Sequence, residues 1–489
     1  MKMNRSVENA SSFRAGMYLL DSFTSGMYND PLIVYREYIQ NAVDSIDLVS
    51  GGKNRSLEVQ ITLEPNSRKI IIRDNASGIP AALAEEVLCS IGSSNKSAKG
   101  LRGFRGIGRL GGVAFCDKAV FRTKAKNESI ESIQEWDCRG LRKLLAEQGK
   151  EALSLEEVFQ GVTTFRQERC KQAQESYFEV TLSGVSSFRN QLFDIEKVRR
   201  YLSQVAPVPF NFQDFSHAHA IDKYLSSKLS SYGRYNIVLN GEPVHKPYKD
   251  NIKLTKGDCD PIEGIEFFQI QNGKNQLIAC GWYGRRRDLL GSIVRGDDSS
   301  GIRVRVGNIQ IGDPHLLDFC FRESRFNSYV TGEVHVECGD LIPNSRRDDF
   351  VDNMSKGLFY NSIEREVGLP ISKEIRLRSR LASNRQLEPV ALDKREGEGL
   401  SRTGDHPSEP CTKKCALSSP AENILQEIKG TALSIANSNQ LTRPDAPSSN
   451  GEQPQDLLLE TLRSICDQCP KLSKLFEALG QQKIPISPD

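Results

Sequence analysis

In the stretch YREYIQNAVDSID, Tyr35 to Asp47, the side chains of Glu37, Asn41 and Asp44 recur at i, i+4 and i+7, which is one face of a helix. A carboxylate and an amide one turn apart can hold a hydrated metal and polarise a water, as nucleotide hydrolysis requires. A solvated polar face has the same spacing, so the stretch gains weight only from its company. The first companion is IIRDNASGI, where Asp74 closes a β-branched run and Gly78 follows. A carboxylate at a strand end can accept a hydrogen bond from an amino group in a pocket, and a glycine there lets the backbone approach a flat ring. An Asx turn capping the strand is the plainer alternative. The second companion is GLRGFRGIGRLGG, with Gly103, Gly106 and Gly108 spaced G-x-x-G-x-G ahead of the apolar LGGVAF. Backbone N–H groups on such a loop make an anion site suited to phosphates. It is not a Walker loop, because no G-K-[ST] closes it.

These groups need elements to position them. Asp30 and Pro31 suit the N-cap and first position of a helix, Ile39, Val43 and Ile46 give it an apolar stripe, and Gly51 and Gly52 are its stop signals. LEVQITL and KIIIRD read as a hairpin around PNS, with Asp74 at the end of its second strand. Ala81 to Ile91 reads as a short helix entering the loop GSSNKSAKGLRG; KAVFRTKA with SIQEWD, and then ESYFEVTLSGV, read as strands. Asp194 to Val205 forms an amphipathic helix stopped by Pro207 and Pro209. Residues 1–215 are thus expected to form one mixed α/β domain. Over 216–385 hairpins dominate: RYNIVLNGEPV turning at Asn240-Gly241, IEFFQIQNGKNQLIACGWYG at Asn272-Gly273, then GIRVRVGNIQIG and GEVHVE, with a helix over Ser362 to Ser383. Residues 386–489 read as a partly disordered tail of polar linkers around two helical segments. One of these carries the stripe Leu458, Leu462, Ile465 and Cys469, which calls for a partner surface.

The chain of 489 residues has room for several domains, and 65 basic against 63 acidic residues leave a net charge of +2. That balance argues against a general polyanion-binding surface and leaves only local patches such as Arg285, Arg286 and Arg287 for nucleic acid. MKMNRSVENA lacks the apolar run of a signal peptide and no apolar run of roughly eighteen residues occurs, so a cytoplasmic protein without membrane spans is expected. The 12 cysteines are scattered and read as reduced thiols. Cys411 with Cys415 and Cys466 with Cys469 are too far apart to make a convincing four-thiolate zinc site.

In order and spacing, E-x-x-x-N-x-x-D-S, a strand ending in D-N-x-x-G-I, and a serine- and lysine-rich loop into G-x-x-G-I-G resemble the GHKL ATPase superfamily. That group includes the ninety-kilodalton heat-shock chaperones, MutL, type II topoisomerase ATPase subunits and histidine kinases. The resemblance implies an α+β protein with an N-terminal Bergerat-type α/β sandwich, followed by a hairpin-rich transducer-like domain and the tail. It implies ATP and Mg²⁺ as ligands, Glu37 as the general base positioning the attacking water, and Asn41 as the Mg²⁺ ligand, with Asp44 beside it. Asp74 would take the adenine amino group, with Gly78 lining the base. Gly103, Arg105, Gly106, Ile107 and Gly108 would hold phosphates beneath a lid from Gly92 to Arg105, in which Lys96 is a further phosphate contact. Ala76 replaces the first glycine of the family's D-x-G-x-G box, and the late G-T box has two stand-ins, Glu175-Ser176 or Gly161 with Thr163.

No histidine precedes His217, which argues against the histidine kinases. GEVHVECGDLIPNSRRDDF resembles the heat-shock chaperone middle domain, which implies that Arg346, or its neighbour Arg347, reaches the γ-phosphate; surface arginines paired with Asp348 and Asp349 would have the same sequence. The expectation is a chaperone-like ATPase that dimerises on ATP binding, closes its lid and acts on a protein client. A DNA-associated clamp of the MutL or microrchidia type and an ATP-sensing module with little turnover are the rivals.

Overall fold

The computed structural model describes residues 30–50, 56–91, 108–146, 153–170 and 174–396. The described residues all belong to one compact unit. The helical tail segments and both tail cysteine pairs lie outside the described residues, as do the stop signals Gly51 and Gly52. No described helix is long and apolar enough to cross a membrane.

The N-terminal part runs α1 (Ile33–Ser50), β1 (Glu58–Glu64), β2 (Lys69–Asp74), α2 (Ala81–Cys89), a 3-10 turn (Gly108–Gly112), β3 (Lys118–Lys124), β4 (Ile130–Asp137), α3 (Cys138–Ala146), α4 (Leu155–Val162), β5 (Thr163–Arg169), β6 (Tyr177–Ser183), α5 (Arg189–Leu192), α6 (Ile195–Val205), α7 (Ala218–Lys228), β7 (Asn236–Leu239) and β8 (Glu242–Pro243). Its eight-stranded sheet has the order β5-β4-β3-β6-β2-β1-β7-β8. All its pairings are antiparallel except β1 with β7.

Strand alternation explains where the chemistry lands. Val59, Ile61 and Leu63 of β1 and Ile70 and Ile72 of β2 are buried, in one core with Tyr35, Ile39, Val43 and Ile46 of α1. Asp74 is two residues beyond Ile72, so the same period of two turns its carboxylate inward, beneath the helices. Helix α1 begins at Ile33, two residues later than Pro31 suggests; Asp30 holds the turn ahead of it, its Oδ1 accepting from the Leu32 N–H at 3.0 Å and its carbonyl from the Ile33 N–H at 3.2 Å.

The expected boundary near residue 215 does not coincide with a change of sheet. The hairpin RYNIVLNGEPV, assigned from sequence to the second region, completes the first sheet instead, with β7 lying parallel to β1. Asn240 locks it there, since its N–H donates to Ile61 O and its Oδ1 accepts from the Leu63 N–H, both at 2.8 Å.

The second sheet is built from β9 (Asn251–Lys253), β10 (Cys259–Gln271), β11 (Leu277–Arg286), β12 (Gly301–Val306), β13 (Ile309–Ile311) and β14 (Thr331–Val336), in the order β13-β12-β14-β11-β10-β9. Behind it, α8 (Met354–Ile363), a π turn (Glu364–Gly368) and α9 (Leu369–Glu396) follow without a break, where the sequence suggested a helix only from Ser362 to Ser383. At Gly368 a Cβ would stand 2.0 Å from the Cys320 carbonyl oxygen, so only glycine lets the helix pass.

The alternation of β12 has an outcome that a sequence pattern does not announce. Ile302 and Val304 enter the core of the second sheet, while Arg303 and Arg305 on the opposite face are buried rather than solvated. They dock on α6: Arg305 Nη2 donates to Gln204 O at 2.6 Å and Arg303 Nη1 to Gln204 Oε1 at 2.8 Å. Glu333 of β14 sits at the centre. Its Oε1 accepts from Arg305 Nε at 2.5 Å, Lys246 Nζ at 2.6 Å and Tyr248 OH at 3.0 Å, and its Oε2 lies 3.0 Å from His335 Nε2. Burial opposes the Glu333 charge, but Arg305 and Lys246 hold its carboxyl well below the usual range.

Burial lowers the pKa of His335 to about 4, against the opposing pull of Glu333. Between the ordinary histidine value of about 6.5 and about 4, the unfolded chain takes up a proton that the folded chain refuses, so stability falls with pH across that window. The loss is expected to reach about 3 kcal/mol. Denaturant unfolding at stepped pH should show it in the wild type and not in His335→Gln; a pH slope unchanged by that substitution would refute the assignment.

Candidate active site

Glu37, on the second turn of α1, is almost fully buried. Its Oε1 accepts from Arg347 Nε at 3.1 Å and lies 3.6 Å from Arg36 Nε. The other carboxylate oxygen packs on Gly108, where a Cβ would stand 2.4 Å from Oε2. Any side chain at 108 would therefore displace the carboxylate. Asp44 is buried and Asn41 half-buried along the same helix. One residue past Asp44, Ser45 Oγ lies 3.0 Å from Ser77 Oγ and ties α1 to the loop after β2.

That loop is held at each residue. Asp74 Oδ1 accepts from the Ala76 N–H at 3.0 Å, Asn75 Oδ1 from the Glu58 N–H at 2.8 Å, and Thr123 Oγ1 from the Ile79 N–H at 2.8 Å. Ser176 Oγ donates to the Ala76 carbonyl. Gly78 has φ +60° and a Cβ there would stand 2.0 Å from Lys124 O, so both conformation and space demand glycine. The Asx turn and the buried carboxylate are therefore the same residue, since one oxygen of Asp74 closes the turn.

The family model for histidine kinase-, DNA gyrase B- and HSP90-like ATPases matches residues 32–165. The N-terminal domain is a GHKL-type ATPase domain. No curated protein compared with the chain matches it.

Within this ATPase domain, Glu37, Asn41, Asp44, Asp74, Gly78 and Gly108 fall on α1 and the segments facing it, while Lys96, Gly103, Arg105, Gly106 and Ile107 lie outside the described residues. The two stand-ins for the late box separate cleanly. Ser176 precedes the strand paired with β2 and touches the Asp74 loop. Thr163 begins β5 at the far edge of the sheet, where its Oγ1 donates to Phe159 O and closes α4. Ala76, the departure from the glycine box, is buried in the domain core.

Arg346, expected to reach the γ-phosphate, lies in a turn of the second sheet domain. Its side chain is exposed, and its carbonyl accepts from Arg36 Nη2 at 3.2 Å. Arg347, the neighbour, is the residue on Glu37. It adopts φ +57°, an uncommon conformation for a residue with a side chain, in a turn where its N–H donates to Asn344 O and its carbonyl accepts from the Gly312 N–H. That backbone twist turns the second arginine of the pair inward and leaves the first outside. The run Arg285 to Arg287 offers little free charge: Arg285 pairs with Glu266, Arg287 with Glu263, and buried Arg286 with Asp260.

Sequence reading passed over Arg36, which flanks Glu37, and Thr123, which supports the Asp74 loop. Thr123 sits in a plain alternating strand and carries no local signal; its role arises only from the crossing of β3 by that loop. The donor set suits Mg²⁺, a hard cation that prefers oxygen. Among the described residues no three His, Cys, Asp or Glu side chains form a metal cluster. A Mg²⁺ at the Asn41 amide oxygen would complete its shell from phosphate oxygens and water, as is usual for that ion.

Proposed function

We propose that the chain is a Mg²⁺-dependent ATP hydrolase in which the second sheet domain completes the catalytic centre. The observation that carries this reading is the contact of Arg347 with Glu37 at 3.1 Å, between a turn of the second domain and the buried carboxylate of the first. Glu37 holds the attacking water and accepts its proton, and Asp74 orients the adenine through its amino group. A bound Mg²⁺ would neutralise phosphate charge. In the arrangement seen, Arg347 neutralises Glu37. With ATP present the γ-phosphate competes for the same guanidinium, which frees the carboxylate to act as base and places a positive charge where the phosphoryl group is transferred.

Hydrolysis of MgATP by the full chain, with and without a chelator, is the test; no turnover above background, or turnover indifferent to the chelator, overturns the reading. Arg347→Ala is expected to lower kcat about 10²-fold with ATP affinity little changed. A higher kcat in that variant would mean that the arginine only restrains Glu37. Conformational work on a protein client, with an ATP-induced homodimer, is the output that the chaperone-like middle segment supports. Light scattering with a non-hydrolysable ATP analogue tests the dimer, and a single monomeric species refutes it.

A further inference from the structure

The 3-10 turn Gly108–Gly112 is gripped from two sides, and Arg109 takes part in both grips. From α1, Tyr38 OH donates to Arg109 O at 2.9 Å and accepts from the Gly112 N–H at 3.1 Å. A Cβ at Gly112 would stand 2.4 Å from that phenol oxygen, so the approach needs a glycine. From the other side, Arg109 Nη1 donates to Val87 O at 2.6 Å and its Nη2 to Ser90 O, at the C-terminal end of α2. Those carbonyls lie at the negative end of the helix, and the guanidinium fork is shaped to take two acceptors at once.

Tyr38 and Glu37 are adjacent on α1, and Gly108 and Arg109 are adjacent on the turn. The tyrosine fixes the main chain of Arg109 while the side chain of Arg109 fixes the turn to α2. Between these two anchors, Gly108 is pressed on the Glu37 carboxylate at a distance that excludes even a methyl group. The Arg109 side chain is spent on the carbonyls of α2 and not on that carboxylate, so its influence on Glu37 passes through the turn. A small shift of the turn would free Glu37 to rotate away from the water that it must hold, and misplacement of this size is costly in catalysis.

We propose that Tyr38 and Arg109 are positioning residues for ATP hydrolysis, which brace the Gly108–Gly112 turn against Glu37. The proposal rests on the ATPase reading above.

The full-length wild type is compared with Tyr38→Phe, Arg109→Met, Arg109→Lys and Glu37→Gln for kcat, for direct MgATP and MgADP affinity, and for thermal unfolding. Loss of turnover in Glu37→Gln establishes the ATPase reading by itself. The brace then predicts that Tyr38→Phe, which keeps the ring and loses only the hydroxyl, lowers kcat about tenfold, the equivalent of one hydrogen bond. ATP affinity and the unfolding temperature should stay near those of the wild type. Arg109→Met should fall likewise, and Arg109→Lys should recover part of the rate, because an ammonium still reaches one carbonyl of α2. Unchanged kcat in Tyr38→Phe and Arg109→Met overturns the brace, as does a loss that follows ATP affinity and stability in parallel. Should the wild type bind ATP without turning it over, the hydrolytic reading fails alone. The brace is then judged on the preference for ATP over ADP, and the same preference in wild type and both variants overturns it.

Discussion

Glu37→Gln is expected to lower ATP turnover about 10²–10⁴-fold, the usual contribution of a positioned general base. On the activation barrier this is about 3–5 kcal/mol. Glutamine keeps the shape of the side chain and can still accept a hydrogen bond from Arg347, so the packing on Gly108 and the contact at 3.1 Å survive the change. What is lost is the ability to take a proton. Binding of MgATP should therefore persist while single-turnover hydrolysis disappears. Equal turnover in wild type and Glu37→Gln would remove the carboxylate from the mechanism, and a variant that no longer binds ATP would give it a binding role instead.

The second large effect is on stability. Glu333→Ala leaves Lys246 and Arg305, both with fully buried side chains, without the carboxylate that they share. Removing one partner of a buried ionic group strands the other charge in a poor solvent, at a cost of about 3–5 kcal/mol. Tyr248 and His335 lose a partner in the same step. Urea unfolding followed by tryptophan fluorescence reads this directly, because Trp282 packs against Tyr248 with ring centroids 5.0 Å apart. A midpoint unchanged by the substitution would show that the network contributes nothing net. Since Arg305 also holds Gln204 on α6, loss of the network should loosen the seat of the second domain on the first and reduce the Arg347 contribution to turnover.

Much of the ATPase domain was legible locally. The 3.6-residue spacing of Glu37, Asn41 and Asp44 and the alternation that turns Asp74 inward are properties of one helix and one strand, which follow from side-chain period alone. The demand for glycine at 78 and 108 could be suspected from the motifs, although the reasons, Lys124 O in one case and Glu37 Oε2 in the other, come from segments distant in sequence.

Other features were settled only where elements meet. RYNIVLNGEPV is a hairpin in any reading, but the open edge of β1, and not its own pattern, recruits it to the first sheet. The alternation of GIRVRV puts both arginines on one face of the strand without saying what meets that face; α6 covers it, so they are buried and paired. Ser345-Arg346-Arg347 offers two guanidiniums with the same chemistry, and a left-handed backbone at 347 decides which one reaches Glu37. Tyr38 and Arg109 carry no motif at all, because the partners that give them a role are backbone atoms brought together by folding. The sequence by itself determined which side chains could do the chemistry, since residue type and local period need only a few neighbouring residues. Tertiary structure alone decided which of them meet, because burial, close approach and shared hydrogen bonds depend on distances that no stretch of sequence contains.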